Sequence, residues 1–212
     1  LNNRIAIILS VIFHPLILTT YLFALLFMLS PELVGVSALE LPALGSLLLL
    51  LCLNTFIAPA LVIYYFQKLG IISSLYVDDL AERRLPYLAC IIIYALATYL
   101  FGWQLEPIGE LAPQISIILG SVTVSLALMT VITLFWKVSA HATGIGGAIT
   151  MLAGLMIRSG EPSIFYPLLV TIVIAGWLLS ARLHLNAHTP AQILVGFVCG
   201  VFVSSMAVYF FF

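Results

Sequence analysis

The residues with the most chemical capacity sit in one short run, ARLHLNAHTPAQILVG at 181–196, where Arg182, His184, His188 and Gln192 lie between two apolar stretches. An arginine offers a planar fork of donors suited to phosphate oxygens, and a histidine acts as nucleophile or as proton carrier near neutral pH. Two further polar clusters lie upstream: ERRLP at 82–86, with Arg83 and Arg84, and KVSAH at 137–141, with Lys137, Ser139 and His141. Together they supply cations for an anion, a hydroxyl and helix N-terminal amides as extra donors, and two imidazoles to divide nucleophilic and acid work. That inventory fits phosphoryl transfer without a metal. His184 and His188 stand four apart with no third ligand at helical spacing, a weak zinc pattern, and carboxylates near the histidines are too few for a two-metal centre. No cofactor is expected.

Composition decides what must position these groups. The 212 residues are 64% hydrophobic and 7% charged, with a mean hydropathy of +1.26. Only helices and closed barrels satisfy their backbone groups in lipid, and apolar runs of roughly 20 residues are helical spans. The expectation is therefore an all-α, polytopic transmembrane bundle of six to seven spans, near 5–29, 41–66, 87–102, 113–136, 141–157, 164–181 and 190–211, the third and fifth being short. No repeat or linker divides the chain, so 1–212 reads as one integral-membrane domain. The first apolar run is too long, and lacks the small-residue site, for a cleaved signal peptide, and reads as a retained span. A net charge of −1 leaves no basic patch for phosphates of a nucleic acid, which is excluded as a partner.

Smaller features fit the same picture. Cys52, Cys90 and Cys199 lie within apolar runs and read as small hydrophobes. Gly144, Gly147, Gly154, Gly196 and Gly200 let helix backbones approach closely. Asp79 and Arg83 have the i,i+4 spacing of a short interfacial helix. His14 and Asn54 read as hydrogen-bonded within the bundle, and His184 as a boundary residue.

Counting crossings brings the three clusters together. They follow the second, fourth and sixth spans, so all emerge on one face. The opposite loops carry Glu32, Glu40, Glu106, Glu110, Arg158 and Glu161, a mostly acidic set. A cationic pocket at a membrane boundary asks for an anionic lipid.

In order and spacing these residues resemble the type 2 phosphatidic acid phosphatase family of membrane lipid phosphatases, over roughly 82–200. The family's pattern is a Lys six residues ahead of Arg-Pro, then Pro-Ser-Gly-His, then Ser-Arg, five residues, His, three residues, Asp. Arg182, His188 and Gln192 keep the third spacing, with Gln192 in place of the acid. VSAH keeps Ser139 and His141. ERRLP is the poorest match, with Leu85 between Arg84 and Pro86 and no upstream Lys, a cation that Lys137 would supply instead. The resemblance implies a phosphatase-like core over about 67–212 and hydrolysis of a lipid or polyprenyl phosphate. His188 would form a phosphohistidine, and His141 would protonate the leaving alkoxide and then activate water. Arg83 or Arg84, Lys137, Ser139 and Arg182 would hold the phosphate oxygens.

Gln192 has two readings. A neutral amide can accept the His188 ring N–H but cannot offset an imidazolium charge, and Thr189, Pro190 and Gln192 also make a Thr-x-x-Gln capping box with proline at the first helical position. The two roles can coexist. Two rivals to hydrolysis follow: a non-catalytic lipid-phosphate binding or transport protein, and a lipid phosphotransferase. Localisation is expected in a bacterial inner membrane. Arg4, Lys68, Arg83, Arg84, Lys137 and Arg182 on the site face against Arg158 opposite would make that face cytoplasmic by the positive-inside rule. Four of the six are proposed phosphate ligands, so the side of the site, like the oligomeric state, stays open at this level.

Overall fold

A computed structural model describes residues 2–75 and 80–212. Asp79, and with it the expected Asp79–Arg83 pairing, lies outside the described residues; the described part of that segment, 80–83, is turn rather than helix. Among the described residues the regular structure is helical: α1 Asn3–Ile12, α2 Pro15–Leu29, α3 Leu41–Cys52, α4 Ala58–Lys68, α5 Arg84–Tyr99, α6 Glu106–Leu111, α7 Pro113–Thr133, α8 Ala140–Ser159, α9 Phe165–His184 and α10 Pro190–Phe211. Prolines open several of them, where the missing N–H has no intrahelical partner to lose.

Six helical stretches are long and apolar enough to cross a membrane, and a seventh results when α1 and α2 are taken together. α3 and α4 form one stretch, Leu41–Lys68, through a π-helical turn at Leu53–Ile57, and a second π turn, Leu100–Gln104, extends α5. The chain is thus an all-helical integral membrane protein. Its outward faces carry exposed Leu49, Leu61, Ile92, Val131, Val173, Val198 and Phe202, which suits lipid contact. Exposed Tyr65 and Trp136 at one end, with Trp103, Tyr166 and Tyr209 at the other, resemble interfacial aromatic belts.

Two expectations are corrected. The third and fifth spans are not short: Arg84–Gln104 has 21 residues and Ala140–Ser159 has 20, because helix continues through the polar residues at their ends. The first span is not one straight helix. α1 and α2 meet at a 60° bend, because Pro15 cannot donate a backbone hydrogen bond and holds His14 in an extended conformation, φ −60° and ψ 137°. Both ends of α1 meet the same end of the bundle: Asn3 Oδ1 lies 2.8 Å from His184 Nε2, and the Ser10 carbonyl lies 3.0 Å from His141 Nε2. At about 1.5 Å per residue α1 is only ~15 Å long. It runs along the cationic face while α2 crosses toward the other. There the hydroxyls of Ser30 and Ser163 meet at 2.6 Å, as parity requires of those two loops.

The closest helix packing joins α8 and α10, which run parallel because α9 returns between them. A Cβ at Gly196 would stand 2.6 Å from the Ser139 carbonyl, one at Gly200 would strike the Thr143 carbonyl, and one at Gly146 would stand 2.7 Å from the Phe197 carbonyl. Farther along, Gly154 faces Val208, while Gly144 receives Leu18 of α2. Substituting Gly200→Val is expected to destabilise the protein by about 1–3 kcal/mol through overpacking. Gly176→Ala, whose new methyl meets nothing within 4 Å, should leave the melting temperature in detergent unchanged or raised. Equal melting of the two variants would refute the seam.

Candidate active site

The three polar clusters converge at one end of the bundle. Arg83, His141, Arg182 and His188, contributed by the residue before α5, the start of α8, the end of α9 and the loop before α10, line a single cavity of about 180 Å³ together with His14 and Tyr87. Arg83, His141 and His188 are 5, 9 and 8% exposed, so these polar groups are well withdrawn from solvent.

α10 places His188. Thr189 caps the helix, its hydroxyl accepting from the Gln192 N–H at 3.3 Å, and the Gln192 side chain returns to the Thr189 N–H at 3.1 Å. The same Gln192 oxygen lies 3.3 Å from His188 Nδ1. A group that accepts from a backbone N–H is the amide oxygen, so Nδ1 must be the donor, and His188 Nε2 keeps its lone pair. Gln192 therefore serves as cap and as histidine partner with one atom.

His141 has the opposite assignment. The His14 N–H turns to the Val11 carbonyl at the bend, leaving the Ser10 carbonyl to the His141 ring. A carbonyl only accepts, so His141 carries its proton on Nε2 and presents a lone pair at Nδ1. The His14 ring stands edge-on to it, centroids 5.7 Å apart, while its own Nδ1 accepts from the Leu16 N–H at 3.4 Å. Reading His14 as a bundle residue missed that it lines the cavity; the His-Pro pair, which predicts a helix start, was the available signal.

The other sequence candidates divide. Arg83 donates to the Val138 carbonyl at 3.4 Å and approaches the Tyr87 hydroxyl at 3.5 Å, tying the first cluster to the second. Arg84, expected as its alternate, is exposed and does not line the cavity. One residue along a starting helix rotates the side chain by about 100°, which decides between them. Ser139 is fully buried, and its hydroxyl accepts from the Ala142 N–H at 3.3 Å as the α8 cap, so it supports His141 rather than lining the cavity. Lys137 lies on the outer side of His188, sharing a shallow hollow with it, Asn186 and Gln192. His184 stays outside, on Asn3, and Asn54 donates to the Leu50 carbonyl at 2.8 Å. Among the described residues no cluster of three His, Cys, Asp or Glu side chains is placed to hold a metal ion.

Burial, then the charges of Arg182, Arg83 and Lys137, push the His188 imidazole down to about 3, opposed by its hydrogen bond to Gln192. At neutral pH it is an uncharged imidazole beside three cations. No protein-family model, curated protein or solved structure matches the chain.

Two outcomes follow. His188 has a folded pKa below its unfolded value of about 6.5, so the unfolded chain binds the extra proton between the two. The group's contribution is complete above about pH 6.5 and lost as pH falls toward 3. Melting temperature in detergent should fall from pH 7 to pH 4.5, and His188→Asn should flatten that fall; parallel curves would exclude the shift. In phosphate or vanadate binding followed by thermal protection, Arg83→Ala should weaken affinity at least tenfold and Arg84→Ala less than threefold.

Proposed function

We propose that the chain is an integral-membrane lipid phosphate phosphatase that works through a phosphohistidine on His188. The observation that carries this is the meeting of Arg83, Arg182, His141 and His188, from four distant segments, around one cavity. The resemblance to type 2 phosphatidic acid phosphatases supports the same reading, with a bacterial inner membrane as the expected setting. A transferring phosphoryl group carries its charge on equatorial oxygens, and positioned donors in a site withdrawn from water are the largest part of what catalysis requires. Arg83 and Arg182 fill that role inside the cavity, with Lys137 at its outer edge.

Nε2 of His188 attacks phosphorus and the bond from phosphorus to the lipid oxygen breaks, while the Nδ1 lone pair of His141 takes the proton of the phosphate monoanion and hands it to the departing alkoxide. Water then gives a proton to Nδ1 of His141 and its oxygen to phosphorus, the P–N bond breaks, His141 passes the proton to the phosphate, and inorganic phosphate leaves. The weak point is Gln192. Where an orienting acid elsewhere becomes an amide, about 10⁴ in rate is lost through the wrong histidine tautomer. Here the amide oxygen already holds the productive tautomer. What the substitution forfeits is the negative charge that would stabilise the forming imidazolium.

That charge deficit favours a second reading, a lipid-phosphate binding or transport protein on the same scaffold. The purified protein, in detergent without added metal, should release phosphate from a lipid phosphate. His188→Ala should abolish release, and Gln192→Glu, which keeps side-chain length and adds the charge, should raise kcat at least tenfold. Full activity in His188→Ala excludes the mechanism. Binding without turnover, with turnover appearing in Gln192→Glu, establishes the second reading.

A further inference from the structure

The cavity does not stop at the cationic groups. From His141 it continues between α2, α5, α7 and α8 toward the middle of the bundle, where Leu22, Tyr94, Ile118 and Met151 line its far part. Along α8 the lining runs from His141 to Met151, a depth of about 15 Å at 1.5 Å per residue. Along α5 it runs from Pro86 to Tyr94, a similar distance into the same interior. Its walls are chiefly carbon. Three of the hydroxyls that border it are turned to backbone carbonyls: Ser121 to Ile118 at 2.7 Å, Thr143 to Ser139 at 3.1 Å and Tyr94 to Thr55 at 2.9 Å. Among the described residues, no Asp, Glu, Lys or Arg lines the space beyond Arg83 and Arg182 at its mouth.

An apolar branch continuous with a cationic mouth selects a ligand of matching build. We propose that the branch takes up one hydrocarbon chain of the ligand, so that the substrate is a single-chain amphiphile ending in phosphate rather than a diacyl lipid. A volume of about 180 Å³ drawn out over such a depth matches the width of one chain better than that of two side by side. A lipid whose two chains join at a glycerol would have to leave one chain outside the cavity or hold its phosphate away from His188. The headgroup end of this assignment rests on the phosphate reading above; the chain end rests on the cavity alone. Linear alkyl and branched polyprenyl phosphates share the required chemistry.

The test separates the two ends. Alkyl phosphonates, which cannot be hydrolysed at the P–C bond, are titrated into the full-length protein in detergent with thermal protection as the readout, using butyl, hexyl, octyl, decyl and tetradecyl chains. Affinity should rise at least tenfold from butyl to decyl and then level off. Decyl phosphate should bind at least tenfold tighter than dioctanoyl phosphatidic acid. Met151→Trp, which fills the far part, should abolish the gain beyond hexyl while keeping butyl phosphonate binding, and that retained binding certifies the fold. If the variant does not fold, the chain-length series on the unaltered protein still decides. Absence of chain-length dependence, or diacyl binding as tight as decyl, overturns the proposal. Farnesyl phosphate compared with a linear chain of equal length identifies the branched or the linear source. Phosphate release is scored separately: tight single-chain binding with no release from the corresponding phosphate overturns the phosphatase reading and leaves this one standing, whereas equal release from single-chain and diacyl substrates does the reverse.

Discussion

The contact on which the site depends is the approach of α8 to α10. Between helices already in lipid there is little hydrophobic gain from association, so close packing has to come from residues small enough to let backbones touch. Gly196 sits on the Ser139 carbonyl and Gly200 on the Thr143 carbonyl, a parallel pairing in steps of four residues. One step nearer the mouth, the Ser139 N–H donates to the Gln192 carbonyl at 3.4 Å. His188 and His141 hang from the leading ends of these two helices. The separation of the imidazoles is therefore set by glycines a turn or more away, and a methyl at those glycines would act on the site without touching it.

A second constraint is the rule that backbone polar groups inside a membrane need partners. Pro15 and Pro59 each remove a donor, and side chains from neighbouring helices answer. The carbonyl of Ser10 takes the His141 ring N–H, and the carbonyl of Thr55, four residues before Pro59, takes the Tyr94 hydroxyl at 2.9 Å. In the first case repair and chemistry coincide: the broken helix fixes the tautomer of His141. α1 is thereby bound to the site at Ser10 and to the end of α9 at Asn3, which explains why a short helix with exposed Ile5, Ile8 and Val11 lies across the cationic face rather than completing a straight span.

How much of this was legible follows from which forces act locally. Apolar runs and the parity of crossings are properties of segments, and they place the helices and bring Arg83, Lys137, His141, Arg182 and His188 to one end. Thr189, Pro190 and Gln192 form a local motif, and both of its readings appear in the structure. The glycines at 144, 147, 154, 196 and 200 pack against neighbouring helices, though Gly146 was not singled out. What escaped depends on rotation and on tertiary partners. Arg83 and Arg84 are equivalent in composition and differ only in which way the first turn of α5 faces. Ser139 reads equally as a ligand or a cap until the Ala142 amide is seen beneath it. His14 is far from His141 in sequence and an edge contact away in space.

Two imidazoles, one deprotonated at Nε2 and the other at Nδ1, face Arg83 and Arg182, with Lys137 outside them and a neutral amide where the resembling family has a carboxylate. An acid at 192 would draw on the same positive field that the ligand uses, weakening its hold on a phosphate while stabilising the cationic histidine formed during transfer. The amide reverses the balance: it draws nothing from the field that would hold an anion, but a phosphorylated or protonated ring would gain no counter-charge from it. Interactions that favour the ground state as much as the transition state tighten binding without raising the rate. Under the proposed function, residue 192 would therefore set where this scaffold lies between holding a lipid phosphate and turning it over.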